Sequence, residues 1–317
     1  MLRNSLIFLS QSGAAKAVVT KTPLRAMSRR FVPGESVDDL VGAIEEANRD
    51  GLSATGNYLG ESVHDEPNAR RAADIYLSVL DRIHDRNLDA NISVKFTQLG
   101  QDISETFLAK NLGRVLERAK ETDTFIRFDM EGSDYTQRTL DAFEKLWSQG
   151  WRNIGVVLQS YLKRSAGDVA RMNELGARVR LCKGAYAEPE SLAFQEREAV
   201  DGSFVELMKM LLARGNYPGI ATHDDRMIEA TVEFAQEEGI GKDKFEFQML
   251  HGVRRDLQNQ LVEDGYNVRA YVPFGEHWYP YLMRRLAERP ANMLFFAGSV
   301  VKESPLSFLW PSGNGKK

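Results

Sequence analysis

Hydrophobic positions along the chain fall into short aliphatic or β-branched runs, separated by longer stretches in which apolar residues recur every three or four positions. The short runs lie at 52–59, 91–96, 124–130, 153–158, 178–182, 219–222, 245–250 and 267–272. Between them, 68–86, 107–122, 134–149, 204–214 and 227–238 carry the 3.6-residue period of amphipathic helices. An earlier periodic stretch, 35–49, follows the turn signal Pro33-Gly34. Strands alternating with helices predict βαβ units and a parallel sheet. About eight such units over roughly 240 residues match a closed (β/α)8 barrel, a TIM-like α/β fold preceded here by N-terminal helices. The expected division is a helical arm over 1–50, a catalytic barrel over 51–300 and a tail over 301–317. An open doubly wound sheet would usually carry a glycine-rich phosphate turn after an early strand. The first two runs lead instead into NYLGES and FTQLGQ, and no G-x-G-x-x-G, G-x-x-x-x-G-K-[ST], H-E-x-x-H or G-x-S-x-G is present.

Composition narrows the function classes. With 41 Lys+Arg against 45 Asp+Glu, the formal charge of -4 lacks the basic excess of a nucleic-acid-binding footprint. A single cysteine excludes an internal disulfide framework and a multi-cysteine zinc or iron–sulfur site, which agrees with a reducing compartment. No apolar run approaches the ~18–20 residues that span a bilayer. The stretch 1–34 has no acidic residue and six basic ones, so it reads either as an organelle transit peptide or as a basic arm packed on the domain.

In a barrel the chemistry gathers at the C-terminal ends of the strands. Those positions hold Lys95, Asp129, Gln159, Arg180, Lys183, His223, Gln248, His251 and Tyr271, while run interiors such as IGVVL are apolar. The pattern predicts a ring of functional groups around one mouth. Each residue has a plainer alternative. Lys95 reads also as a solvated lysine, and Asp129 as a helix cap. Arg127, Asp129 and Glu131 share a face by period two and read also as an ion-pair ladder. Cys182 reads as a small buried hydrophobe rather than a nucleophile, since no histidine pairs with it in sequence. His223-Asp224-Asp225 lacks the H-x-H partner of barrel metallohydrolases, so no metal is expected. In YVPFGEHWYPYLMRRLAERPAN, Arg284 and Arg285 are consecutive on a helix with Tyr281 on the same face. A guanidinium pair grips a carboxylate bidentately, whereas the plainer reading is a basic surface turn. Lys95 adds a third cation, and together these groups suit a small anionic, partly apolar substrate.

Seven segments, SVKFTQLG, RFDME, VVLQSYL, RLCKGAY, ATHD, FEFQMLHG and YVPFGEHWYPYLMRRL, resemble the proline dehydrogenases in order and spacing over about 35–300. That resemblance implies a distorted barrel, non-covalent FAD, oxidation of L-proline to Δ1-pyrroline-5-carboxylate with hydride passing from C5 to FAD N5, and electron transfer to a membrane quinone. It implies that Lys95, Arg284 and Arg285 hold the proline carboxylate, that Tyr271 and Tyr281 wall the pyrrolidine ring, and that Tyr186 and Leu250 complete the pocket. Asp129 is implied to orient the substrate-side ion network and Arg180 to approach flavin N5. Met130, Gln159, Lys183, Gly184, Ala185, Thr222, His223 and Glu288 match flavin contacts. The tyrosine at 271 favours proline over hydroxyproline. The chain is too short for a fused aldehyde dehydrogenase, so a separate pyrroline-5-carboxylate dehydrogenase is the implied partner. The implied location is cytoplasmic and bacterial, peripherally on a membrane through the basic arm or the LSFLW tail, rather than mitochondrial. Two rival classes are a Schiff-base aldolase-type barrel using Lys95 or Lys183, and a non-catalytic carboxylate-binding barrel.

Overall fold

The computed structural model describes residues 28–288, and from position 284 onward the backbone alone. Eight parallel strands close into a barrel in chain order: β1 (Ser53–Tyr58), β2 (Ala90–Val94), β3 (Ile126–Phe128), β4 (Ile154–Gln159), β5 (Arg178–Cys182), β6 (Gly219–Ala221), β7 (Glu246–Leu250) and β8 (Asn267–Phe274). Closure is between β1 and β8, with Thr55 beside Tyr271, while on its other edge β1 sets Asn57 beside Ser93 of β2. The helices are α1 (Val37–Arg49), α2 (Glu66–Asp85), α3 (Glu105–Glu121), α4 (Ser133–Ser148), α5 (Ser165–Leu175), α6 (Arg197–Arg214), α7 (Asp225–Glu237), α8 (Arg255–Glu263) and α9 (Trp278–Glu288).

All eight expected runs are strands. Two helices lacked a sequence signal because little of them is apolar and buried: Val169 and Met172 in α5, and Leu261 in α8. The helix expected at 204–214 starts seven residues earlier, since its first two turns are mainly polar and charged. Helix α1 begins after Ser36, whose hydroxyl accepts from the Asp39 N–H while Asp39 accepts from the Ser36 N–H, a capping box.

Helix α1 packs on β1 and β8, the outer place that the helix after the eighth strand takes in a regular barrel. Leu40 of α1 sits so close to β1 that a Cβ on Gly56 would lie 3.0 Å from it. With that place filled, α9 joins a second apolar cluster with Phe31, Val32 and Leu59, next to the upper end of β1. Segment 28–34 is pinned there: Arg30 Nε donates to Gly252 O at 3.1 Å. The basic stretch before it and the tail over 301–317 lie outside the described residues.

The strand interiors, expected to be apolar, also carry polar side chains. Polar groups are not confined to one end of the strands. Thr55 donates to Asn91 across the β1–β2 pair at 2.6 Å. Arg127 reaches the Arg178 carbonyl at 2.7 Å, and Arg269 binds Glu246 at 2.8 Å and the Ala54 carbonyl at 2.7 Å. The barrel interior is therefore polar along its length, while the alternate positions of the same strands (Phe128, Leu181, Phe247, Ala270) belong to the apolar core shared with the helices. Arg127, Asp129 and Glu131 form no ladder either; each bonds a different partner at a different height.

Candidate active site

The mouth is organised around Asp129. Its N–H continues the ladder to Val94 O at 2.9 Å, which places the carboxylate just past the end of β3. Arg180 Nη1 donates to Oδ1 at 2.8 Å, the Tyr271 hydroxyl donates to Oδ2 at 2.7 Å, Asn57 Nδ2 lies 3.4 Å and Lys95 Nζ 3.6 Å from Oδ2. Arg180 is also fixed by Ser93 Oγ at 3.1 Å and lies 5.1 Å from the Tyr271 ring centroid. Burial alone would favour protonated Asp129, but Lys95, Arg180 and the Tyr271 hydroxyl outweigh it and hold the carboxyl below its ordinary range. Burial and the Asp129 charge push the Tyr271 phenol well up, so it stays a donor. Two cations against one carboxylate leave this cluster with a net charge of +1, which suits an anionic substrate.

Tyr281 is buried on α9 and near enough to Tyr271 to contribute to that upward shift. The helix backbone carries positions 284, 285 and 288, but the side chains of Arg284, Arg285 and Glu288 lie outside the described residues. Tyr186 stands on the loop after β5, its hydroxyl 3.4 Å from Glu61, and Leu250 ends β7.

A second group lines the ends of β4 to β6. Gln159 is buried, and its Oε1 has no hydrogen-bond partner among the described residues. Lys183 Nζ bridges Asp201 at 2.5 Å and Asp224 at 2.8 Å. Despite partial burial, Lys183 and Arg226 hold Asp224 far below the usual carboxylate range. Thr222 Oγ1 accepts from the Asp224 N–H at 3.1 Å, and His223 Nε2 accepts from the Leu250 N–H at 2.8 Å, which leaves Nδ1 to carry the proton. Met130 is buried and Ala185 exposed. Gly184 has φ +108°, and a Cβ there would run into the Tyr161 ring, so in this structure its space is taken by the protein itself.

Both lysines of the rival reading are tied up in ion pairs, Lys95 with Asp129 and Lys183 with Asp201 and Asp224. Cys182 is half-buried against the core. His251 departs from the expected ring: it is half-buried beside Glu46 of α1 and Arg255 of α8. Glu131 accepts from the Thr97 hydroxyl at 2.6 Å, and burial raises its pKa. Among the described residues, no group of three or more His, Cys, Asp and Glu is arranged to hold a metal ion.

Sequence reading missed Asn57 and Ser93, the neutral groups that touch Asp129 and Arg180. Period two offered the signal: Ser93 shares a strand face with Lys95, and Asn57 is its register partner.

The proline dehydrogenase family model matches residues 40–297. Proline dehydrogenase 1 of Bacillus subtilis subsp. natto is 38% identical over 303 residues, covering 96% of this chain and 100% of that protein. The proline dehydrogenase of Deinococcus radiodurans is 39% identical over 280 residues, 87% of this chain and 90% of its own. Among solved structures, proline utilization A (PutA) from Bdellovibrio bacteriovorus, inactivated by N-propargylglycine, superposes with a TM-score of 0.80 at 25% identity. The match covers 96% of this chain but 38% of that much longer one.

Proposed function

The chain belongs to the proline dehydrogenase family, and from that premise we propose a mechanism in which it oxidises L-proline to Δ1-pyrroline-5-carboxylate, the first step of proline catabolism, at the mouth built around Asp129. The observation that carries the reading is the Lys95–Asp129–Arg180–Tyr271 cluster, its Asp129 and Arg180 buried, with its excess of one positive charge.

Lys95, joined by Arg284 and Arg285 from α9, holds the substrate carboxylate. Tyr271, Tyr281, Tyr186 and Leu250 enclose the pyrrolidine ring. The carboxylate of Asp129 is a poor proton acceptor, because its neighbours favour the ionised form. Its role is to fix Arg180 and the Tyr271 hydroxyl. The substrate's secondary amine must lose its proton before C5 can release hydride, so turnover rises with pH until that proton is gone.

The cofactor is FAD, held without a covalent bond. The second group of residues fits it. The orphaned Gln159 Oε1 requires an N–H donor of the kind an isoalloxazine imide supplies, and Lys183, Thr222 and His223 offer donors for its polar edges. Met130, Gly184, Ala185 and Glu288 complete the cofactor-binding set. When bound, FAD supplies the two-electron oxidant. Arg180 gives that oxidant a fixed positive neighbour in a site sheltered from water.

Electrons pass on to a membrane quinone, and the product goes to a separate pyrroline-5-carboxylate dehydrogenase. No helix among the described residues is long and apolar enough to cross a membrane. We place the enzyme in the bacterial cytoplasm, peripherally associated with the membrane, with an arm over 1–50, a barrel over 51–300 and a tail over 301–317. Anaerobic titration with L-proline tests the reading: the purified protein is yellow, and its flavin band bleaches. A colourless protein that borohydride links covalently to a carbonyl substrate would overturn it.

A further inference from the structure

Gln248 is fully inside the barrel and has no part in the mechanism above. We propose that Gln248, itself clamped by Glu246, is the positioning residue that sets the Arg180 guanidinium in the mouth, an inference that rests on the assignment of Arg180 to the flavin side of the site.

Of the five N–H groups of the guanidinium, three have partners among the described residues: Nη1 on Asp129 at 2.8 Å, Nη2 on Ser93 at 3.1 Å, and Nε on Gln248 Oε1. Asp129 lies just past the end of β3 and Ser93 within β2, while Gln248 holds the group from β7, on the side toward Glu246. Gln248 can do so because its amide has one permitted orientation. Its Nε2 donates to Glu246 Oε1, two residues down the same strand face. Flipping the amide would set its N–H groups against the Arg180 N–H and its oxygen against a carboxylate. Both ends would then repel, so a cation above and an anion below lock the glutamine.

The anion is secure. Glu246 is 3% exposed and receives Arg269 Nε at 2.8 Å. Burial opposes its charge, but Arg269 and Arg127 prevail and keep its pKa below the ordinary value. Arg269 is anchored in turn on the Ala54 carbonyl at 2.7 Å. Arg269, Glu246, Gln248, Arg180 and Asp129 thus form one column of alternating polarity, running from the barrel interior to the substrate side. The lane is cleared by sequence. Gly219 of β6 is the register neighbour of both Arg180 and Glu246, and a Cβ on it would overlap the Gln248 amide, 2.9 Å from Cδ. Gly219 has an ordinary backbone conformation, so its lack of a side chain serves this crossing and not a turn.

Three variants of the full-length, FAD-loaded enzyme test the proposal. Gln248→Met keeps side-chain length and removes both hydrogen bonds. Gly219→Ala leaves the glutamine intact but displaces it, and needs no strained backbone. Arg180→Met measures the whole effect of the cation. The readouts are flavin content, the flavin midpoint potential without substrate, and steady-state kinetics with proline. Arg180→Met should lower the potential, and Gln248→Met and Gly219→Ala should each lower it by at least about a third as much, with flavin content unchanged. Their kcat should fall by between about ten- and a hundred-fold, while KM for proline moves by less than about three-fold. If Arg180→Met lowers the potential and both other variants match the wild type, Gln248 does not position Arg180, and the assignment of Arg180 stands. If Arg180→Met leaves the potential unchanged, that assignment fails and takes the proposal with it. Should Gln248→Met fail to fold, Gly219→Ala alone decides between these outcomes.

Discussion

Replacing Asp129 with asparagine keeps the shape of the side chain and removes the charge on which the mouth is assembled. The carboxylate now receives Arg180 at 2.8 Å and Tyr271 at 2.7 Å, with Asn57 and Lys95 at 3.4 and 3.6 Å. An amide has a single acceptor edge. Turned toward Arg180, it keeps that bond and presents N–H groups to Lys95, Asn57 and Tyr271; turned the other way, it faces the guanidinium with donors. In both orientations a donor loses its partner, and the net charge of the cluster rises from +1 to +2, two cations with no carboxylate. Breaking a buried ion pair from one side costs about 3–5 kcal/mol. The lower end applies because the Lys95 side chain, 13% exposed, can withdraw toward water. An unfolding entropy of about 2.1 cal/mol/K per residue amounts to roughly 0.7 kcal/mol/K over 317 residues, so about 3 kcal/mol lowers Tm by about 4–5 °C. Because the pKa of Asp129 is lowered in the fold, its charge stabilises above the unfolded carboxyl value of 3.8 and is lost as pH falls through the folded value. The Tm gap between wild type and Asp129→Asn should therefore persist from pH 8 to about pH 4 and close below it. Scanning calorimetry on both proteins measures this. A Tm within about 1 °C of wild type at pH 7 would refute the claim that this carboxylate neutralises the two cations. Combining Asp129→Asn with Arg180→Met should recover part of the loss, since the second change removes the charge that the first leaves unpaired.

Two further outcomes follow from other parts of the molecule. Burial, then Arg255, lowers the pKa of His251 from 6.5 to about 4, so between these values the unfolded chain binds a proton that the folded chain does not. Stability should fall by up to about 3 kcal/mol as pH drops from 6.5 to 4, and His251→Gln should flatten that slope in urea unfolding curves; an equal slope in both proteins would refute the assignment. Arg284→Met or Arg285→Met should raise KM for proline by about ten- to a hundred-fold, the loss of one charge-assisted bond, with flavin still bound; unchanged KM in both would remove the carboxylate clamp.

Much of this fold was legible because its barrel strands announce themselves as short apolar runs at regular intervals. The helices with a continuous apolar stripe, such as α2 and α3, were equally plain. Helix α8 was not, because it buries only Gln258 and Leu261, and the polar Gln258 serves the backbone carbonyls of Leu250 and Val253 instead of the core. The ionisable centre of the mouth was legible for a similar reason: Lys95 and Asp129 stand just past strand ends, and Arg180 and Tyr271 are polar residues set within the short runs of β5 and β8. What composition and periodicity do not convey is partnership across the barrel. That Arg180 of β5 rests on Ser93 of β2, and that Asn57 of β1 reaches Asp129 beyond β3, depends on closure, which brings residues 36 to 87 positions apart into contact.

The same closure accounts for the misreading of the strand interiors. A run such as IGVVL looks apolar because the residues facing the helices are large, while the two inward ones, Gly155 and Val157, carry no polar group. A Cβ on Gly155 would lie 2.8 Å from Arg127 Nη1 and 2.7 Å from the Phe125 ring. Gly219 does likewise for Gln248. At two places in this barrel a long charged side chain has glycine as its register partner, Arg127 at Gly155 and Arg180 at Gly219, because the lumen of eight strands holds few large groups at each level. The glycines hide the polarity from any count of hydrophobic residues, yet they mark where a buried guanidinium or amide crosses. Seen this way, the charges at the mouth are the upper end of a column that the whole barrel supports. A site that must hold Asp129 ionised and Arg180 fixed, both away from water, needs such support from below, since solvent can screen neither group.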